Sequence, residues 1–128
     1  MATRIFLALS GLIWLPYGLY CFFQPGSLGE AAGVAFTNPT GSTELRAMYG
    51  GLQAAIGVVA WAGVLRPELA RSALQLLLLV GAGLGGARLL GAGLDGAFSA
   101  YTGMAIGLEL GTVVITLGLL RRAPRMAS

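Results

Sequence analysis

Three charged residues, Arg46, Arg88 and Glu109, lie inside stretches of sequence that are otherwise long and apolar enough to cross a bilayer. A charge in hydrocarbon costs at least ~2.5 to 3.5 kcal/mol on insertion scales, so it is kept there by a partner or a task. Such a chain must close every backbone hydrogen bond within its apolar segments and still shelter a polar interior. In lipid only α-helices and closed β-barrels meet the first condition. The apolar runs here are continuous rather than alternating, which leaves the helix. The fold class expected is all-α, a four-transmembrane-helix antiparallel bundle formed by residues 1–128 as a single integral membrane domain.

The segments are placed by their punctuation. The first span covers about residues 5–23, from Ile5 to Phe23, and Gln24, Pro25 and Gly26 end it. It is longer than a signal-peptide core and contains Trp14, Pro16, Tyr17 and Tyr20, so it is expected to be retained as a helix. Residues 24–43 form a connection, in which Ser27 to Val34 has the length of one short interfacial helix. Asn38 to Thr43 carries turn and cap signals, with Ser42 or Thr43 as the expected cap and Glu44 in the first turn of the next helix. The second span covers about 44–65. Arg66 to Arg71 makes a tight turn that forces antiparallel neighbours, and the third and fourth spans cover about 72–92 and 101–120.

Composition agrees with this class. Apolar residues make up 56% of the chain and charged residues 10%, against roughly a quarter charged in soluble domains. All eight basic residues are arginine, and they cluster beside the apolar segments, so the net charge of +3 points to membrane topology rather than to nucleic acid. Four spans put Arg4, Arg66, Arg71, Arg121, Arg122 and Arg125 at one end with only Glu68, which makes that end, with both termini, the cytoplasmic one. There is no histidine and a single cysteine, Cys21, expected to be a small apolar filler. Histidine-ligated metals, haem and a thiol pair are therefore excluded, and neither a metal nor another cofactor is expected.

Glycines at four-residue spacing, Gly81 and Gly85 in the third span and Gly103, Gly107 and Gly111 in the fourth, are expected to be helix-packing rows. Small residues let helix backbones approach where lipid is as apolar as the side chains. The charged residues gather toward the extracytoplasmic half. Arg46, Tyr49 and Gln53 share a face of an α-helical second span. Arg88 and Asp95 lie seven apart on the third. Glu109 lies roughly 12 Å below the outer end of the fourth span, near the middle of a core ~30 Å thick, in a stripe with Ala105, Thr112 and Thr116. Arg46, Tyr49, Gln53, Arg88, Asp95 and Glu109 are the candidate ligand-binding or buried polar cluster. Alternatively, Arg46 and Arg88 only neutralise Glu109 and Asp95 and fix the register of the helices.

The run Thr43-Glu44-Leu45-Arg46-Ala47-Met48-Tyr49-Gly50-Gly51-Leu52-Gln53, followed by Arg88, Asp95-Gly96 and a glutamate in the last span, resembles a bacterial family of four-helix membrane proteins catalogued as a domain of unknown function. The chain is also similar in size and layout to DoxX-like membrane proteins. The resemblance implies four spans and the same charged positions and brings no activity with it, and the location expected is the bacterial cytoplasmic membrane.

Three functions fit these residues. A membrane-embedded binding or accessory protein requires only a polar pocket, holding a lipidic or anionic small molecule or docking a partner membrane subunit. A proton-coupled transporter would use Glu109 as the exchanging carboxylate and would need a dimer to make a pathway. An isomerase-type enzyme acting on a lipidic substrate would use Glu109 or Asp95 as acid and base, with Arg or Tyr49 stabilising an oxyanion. The first is preferred, because no nucleophile with an adjacent base stands in the sequence. The partners expected are membrane lipids, a small lipidic molecule, and further copies of the chain or a larger membrane complex.

Overall fold

The computed structural model describes residues 1–122; Arg125, counted above with the basic end, lies outside the described residues. Among the described residues all regular structure is helical, and four helices are long and apolar enough to cross a membrane: Ala2–Phe23, Pro39–Leu65, Pro67–Asp95 and Ala100–Arg122.

α1 (Ala2–Phe23) buries Leu7, Ser10, Gly11, Trp14, Gly18 and Cys21, a three-and-four spacing that turns one stripe inward. It runs through Pro16, and Pro25 prevents it from continuing. The short α2 (Ser27–Ala32) stops at Gly33, whose φ of 69° is left-handed.

The second span starts earlier than its sequence suggests. α3 (Pro39–Leu45) is capped by Asn38, whose side chain accepts from the Gly41 N–H at 2.9 Å, with Pro39 in the first turn. Thr43 instead donates back to the Pro39 carbonyl, so neither Ser42 nor Thr43 is the cap and Glu44 is not in the first turn. The span is also not uniformly α-helical. Arg46–Gly51 forms a π-helical segment before α4 (Leu52–Leu65) resumes the regular winding.

A 3-10 turn, Pro67–Leu69, leads into α5 (Ala70–Asp95), which ends at Gly96 with φ 63°. α6 (Ala100–Arg122) follows. Consecutive spans run antiparallel.

The packing is uneven. α1 lies along α4 and the π segment, α4 along α5, and α5 along α6, whereas α6 otherwise mainly touches α2. Two apolar clusters hold this arrangement. Leu7, Trp14, Ile56, Ala73, Leu74 and Leu77 join α1, α4 and α5 toward the arginine-rich end, and Cys21, Leu28 and Leu45 join α1, α2 and α3 at the other.

Where α1 meets the second span the backbones are nearly in contact. A Cβ on Gly18 would overlap the Ala54 backbone, and one on Gly50 would lie 2.8 Å from the Phe22 Cα.

The glycine rows behave differently from one another. Gly81 and Gly85 face α6, where added Cβ atoms would come to 3.0 Å from the Glu109 carbonyl oxygen and 3.2 Å from the Glu109 Cβ. A Cβ added at Gly103, Gly107 or Gly111 would meet nothing within 4 Å, so the expected packing row on the fourth span has no neighbour among the described residues. The side of α6 that carries Glu109 is the one seated on α5, and the row lies off that side.

The contrast sets a prediction. Gly18→Ala should lower stability by about 1–3 kcal/mol through overpacking against backbone. Gly107→Ala should change it by no more than about 1 kcal/mol. Thermal unfolding of the two purified variants in one detergent measures both.

Candidate functional site

The site is built where α6 leans on α5. With only hydrogen on Gly81 and Gly85, the turn of α6 around Glu109 sits directly on the α5 backbone. One turn further along α5 stands Arg88. Its Nε donates to Glu109 Oε2 at 3.1 Å and to Oε1 at 3.3 Å, and its Nη2 donates to Oε1 at 2.9 Å. This is a forked, two-oxygen engagement, the strong form of an arginine–carboxylate pair. Glu109 is 4% exposed, and nine residues of helix, ~14 Å, separate it from the start of α6. The Arg88 side chain is 29% exposed and its guanidinium carbon lies 5.9 Å from the centre of the Tyr101 ring.

The pair forms one wall of a cavity of about 260 Å³ between α1 and α6. Ile13, Trp14 and Tyr17 line it from α1, Tyr49 and Gln53 from the second span, and Tyr101, Met104, Ala105 and Leu108 from α6. Ile13, Met104 and Leu108 are also exposed on the outer surface of the bundle, so the cavity's apolar edge meets the surroundings of the protein between two helices that are not packed together. A second cavity of about 370 Å³, beneath α2, shares Tyr17 and Tyr101 with the first and includes Tyr20, Ser27 and Glu30.

Of the six residues singled out from sequence, four come together here: Tyr49, Gln53, Arg88 and Glu109. Two do not. Arg46 turns toward α1, where its Nη1 donates to the Phe22 carbonyl and its guanidinium lies 5.7 Å from the Phe22 ring centre. The physical reason is the π segment. An i→i+5 turn winds more slowly than an α-turn, so Arg46 and Tyr49, three apart, diverge instead of sharing a face. Asp95 is the exposed last residue of α5, two turns beyond Arg88, and forms no ion pair among the described residues. In the stripe on α6, Ala105 and Glu109 line the cavity, Thr112 donates to its own helix at the Leu108 carbonyl, and Thr116 is fully buried.

The α1 wall and Tyr101 are functional candidates that sequence reasoning missed. For the α1 wall the signal was Trp14 and Tyr17, two polar-tipped aromatic residues three apart within an apolar segment. Their partner across the cavity becomes visible only once α1 and α6 are set beside each other.

No group of three or more potential metal ligands occurs among the described residues. The arrangement can hold a polar head group against a forked ion pair while leaving an apolar exit.

The pair itself gives a prediction. Arg88→Met strands a buried carboxylate and should cost about 3–5 kcal/mol. Glu109→Gln should cost less, because Arg88 has surface within reach. Replacing both, Arg88→Met with Glu109→Leu, should recover most of the loss of the first. Thermal unfolding in detergent measures all three, and a double variant no more stable than Arg88→Met contradicts the pairing.

No curated protein and no solved structure matches the chain. A family profile matches residues 2–120, nearly the whole length, including the first three spans, all but the last two residues of the fourth, and both walls of the cavity. The chain therefore belongs to the family described as a domain of unknown function, DUF4345.

Proposed function

We propose that this membrane protein is a binding protein that holds a small amphiphile in the cavity between α1 and α6. The head group lies against Arg88, Glu109, Tyr49 and Gln53, and the tail leaves past Ile13, Met104 and Leu108. One observation carries this reading: a single cavity joins a buried ion pair to an apolar edge exposed on the lipid-facing side of the helices. Ligand sites are mostly apolar hollows with a few convergent polar groups, and this one has that make-up.

The geometry favours binding over proton exchange. Both Glu109 oxygens are engaged by one guanidinium, which suits a fixed wall better than a group that gives and takes protons. With the arginine-rich end in the cytoplasm, the cavity opens into the outer half of the bilayer.

Native mass spectrometry of protein extracted in mild detergent tests this. The wild-type protein should retain an amphiphile, and Ala105→Phe, which fills the cavity and keeps both charges of the ion pair, should lose it while melting at a similar temperature. Wild-type protein free of any retained molecule, or Ala105→Phe with undiminished retention, contradicts the proposal.

A further inference from the structure

The cavity's unpaired hydrogen-bonding groups and its charge define the head group it takes; this rests on the amphiphile-binding reading above. The charged residues that line it are Arg88 and Glu109, and they cancel. Arg46, which would have tipped the balance toward an anion, is spent on the Phe22 carbonyl outside the cavity. An anionic head group would have to displace Glu109 from Arg88 and leave that carboxylate buried without a cation, and a cationic one would have to draw Glu109 off its fork, a smaller loss for Arg88, which has surface within reach. Either exchange carries the penalty of an unpaired charge in a low-dielectric setting. A neutral head group disturbs neither.

Two polar atoms on residues that line the cavity have no hydrogen-bond partner among the described residues. Arg88 uses Nε and Nη2 on Glu109, and its Nη1 makes no hydrogen bond among the described residues, so it is a spare donor. The Gln53 carbonyl oxygen is buried with no partner among the described residues. That oxygen can only accept. Tyr17, Tyr49 and Tyr101 can turn their hydroxyls to suit either kind of ligand atom, so they do not discriminate. Gln53 does. A buried acceptor left without a donor is costly, and a ligand that carries one removes the cost. A hydroxyl suits both groups: it accepts from Arg88 Nη1 and, with the Gln53 side chain turned so that its covered oxygen faces the cavity, donates to Oε1.

We infer that the ligand is a neutral amphiphile whose head group carries a hydrogen-bond-donating hydroxyl, and that Gln53 is the residue that selects for it. Ethers and esters of the same shape accept from Arg88 and leave the Gln53 carbonyl oxygen without a donor. Sulfonates, phosphates and carboxylates compete with Glu109.

The test uses three probes with the same ring and tail: para-dodecylphenol, its methyl ether para-dodecylanisole, and the permanently anionic para-dodecylbenzenesulfonate. The chain has two tryptophans, and Trp61→Phe leaves Trp14, in the cavity wall, as the sole reporter. The full chain with that change is placed in phosphatidylcholine nanodiscs, and Trp14 fluorescence is followed against the mole fraction of each probe. The phenol should half-saturate at a mole fraction at least about tenfold lower than the anisole or the sulfonate, the scale of one buried hydrogen bond. Gln53→Met, of similar size, should raise the phenol to the level of the anisole and leave the anisole unchanged. Equal binding of phenol and anisole to the Gln53 protein overturns the role of Gln53, and sulfonate binding as tight as the phenol overturns neutrality. If none of the three gives a saturable response, the amphiphile-binding reading itself fails. Should Trp61→Phe not fold, competition between the probes for the wild-type protein, read by native mass spectrometry, gives the same ranking.

Discussion

A carboxylate in hydrocarbon must find its cation inside the protein, and the packing of α5 on α6 is organised around that need. Gly81 and Gly85 remove the side chains that would hold α6 away from α5, and the backbone of the Glu109 turn occupies the space. Arg88, one turn on, then reaches both oxygens of Glu109 with its fork. Glycine and charge are thus parts of one device: close backbone approach shields the ion pair from lipid, and the ion pair gives two apolar helices a reason to sit in one register. Helices in a membrane lack the hydrophobic drive that would otherwise bring them together.

The other half of the molecule solves the same problem without charge. α1 and the second span meet at Gly18, Gly50 and Ala54 with almost no side chain between them, and the apolar cluster around Leu7, Trp14 and Leu77 ties that pair to α5. What remains loose is the side between α1 and α6. Two well-packed pairs joined mainly through α4 and α5 leave a gap opposite that joint, and the cavity occupies it. The hollow follows from which helices touch rather than from any one small residue.

Much of this was legible in the sequence. Four spans, their antiparallel order and the short α2 follow from apolar run length and from the Pro, Gly and Asn punctuation. That Glu109 needs an arginine follows from its depth in lipid, whereas which of Arg46 and Arg88 it meets was left open by the sequence and depends on how the helices turn. Arg46 was misplaced because periodicity assumes one winding throughout a helix, and a change from α to π leaves no mark on hydropathy. Asp95 was overvalued because its helix runs to Asp95, three residues past the expected end at residue 92, and carries it out to the surface. The row at Gly103, Gly107 and Gly111 shows that spacing announces a smooth face without saying what, if anything, lies against it.

The π segment has a consequence for how this helix tolerates change in length. A wide turn holds one residue more than an α-turn over the same rise, so Arg46–Gly51 is equivalent to an insertion absorbed in place. Removing a single residue there would let the turn close to regular α-geometry with the helix on either side left in place. Leu45 would keep its seat against Cys21 and Leu28, and Asn38 would cap the helix in the same direction. The segment therefore acts as a buffer of length, in which one residue can be lost without turning the first turns of the span away from the rest of the protein.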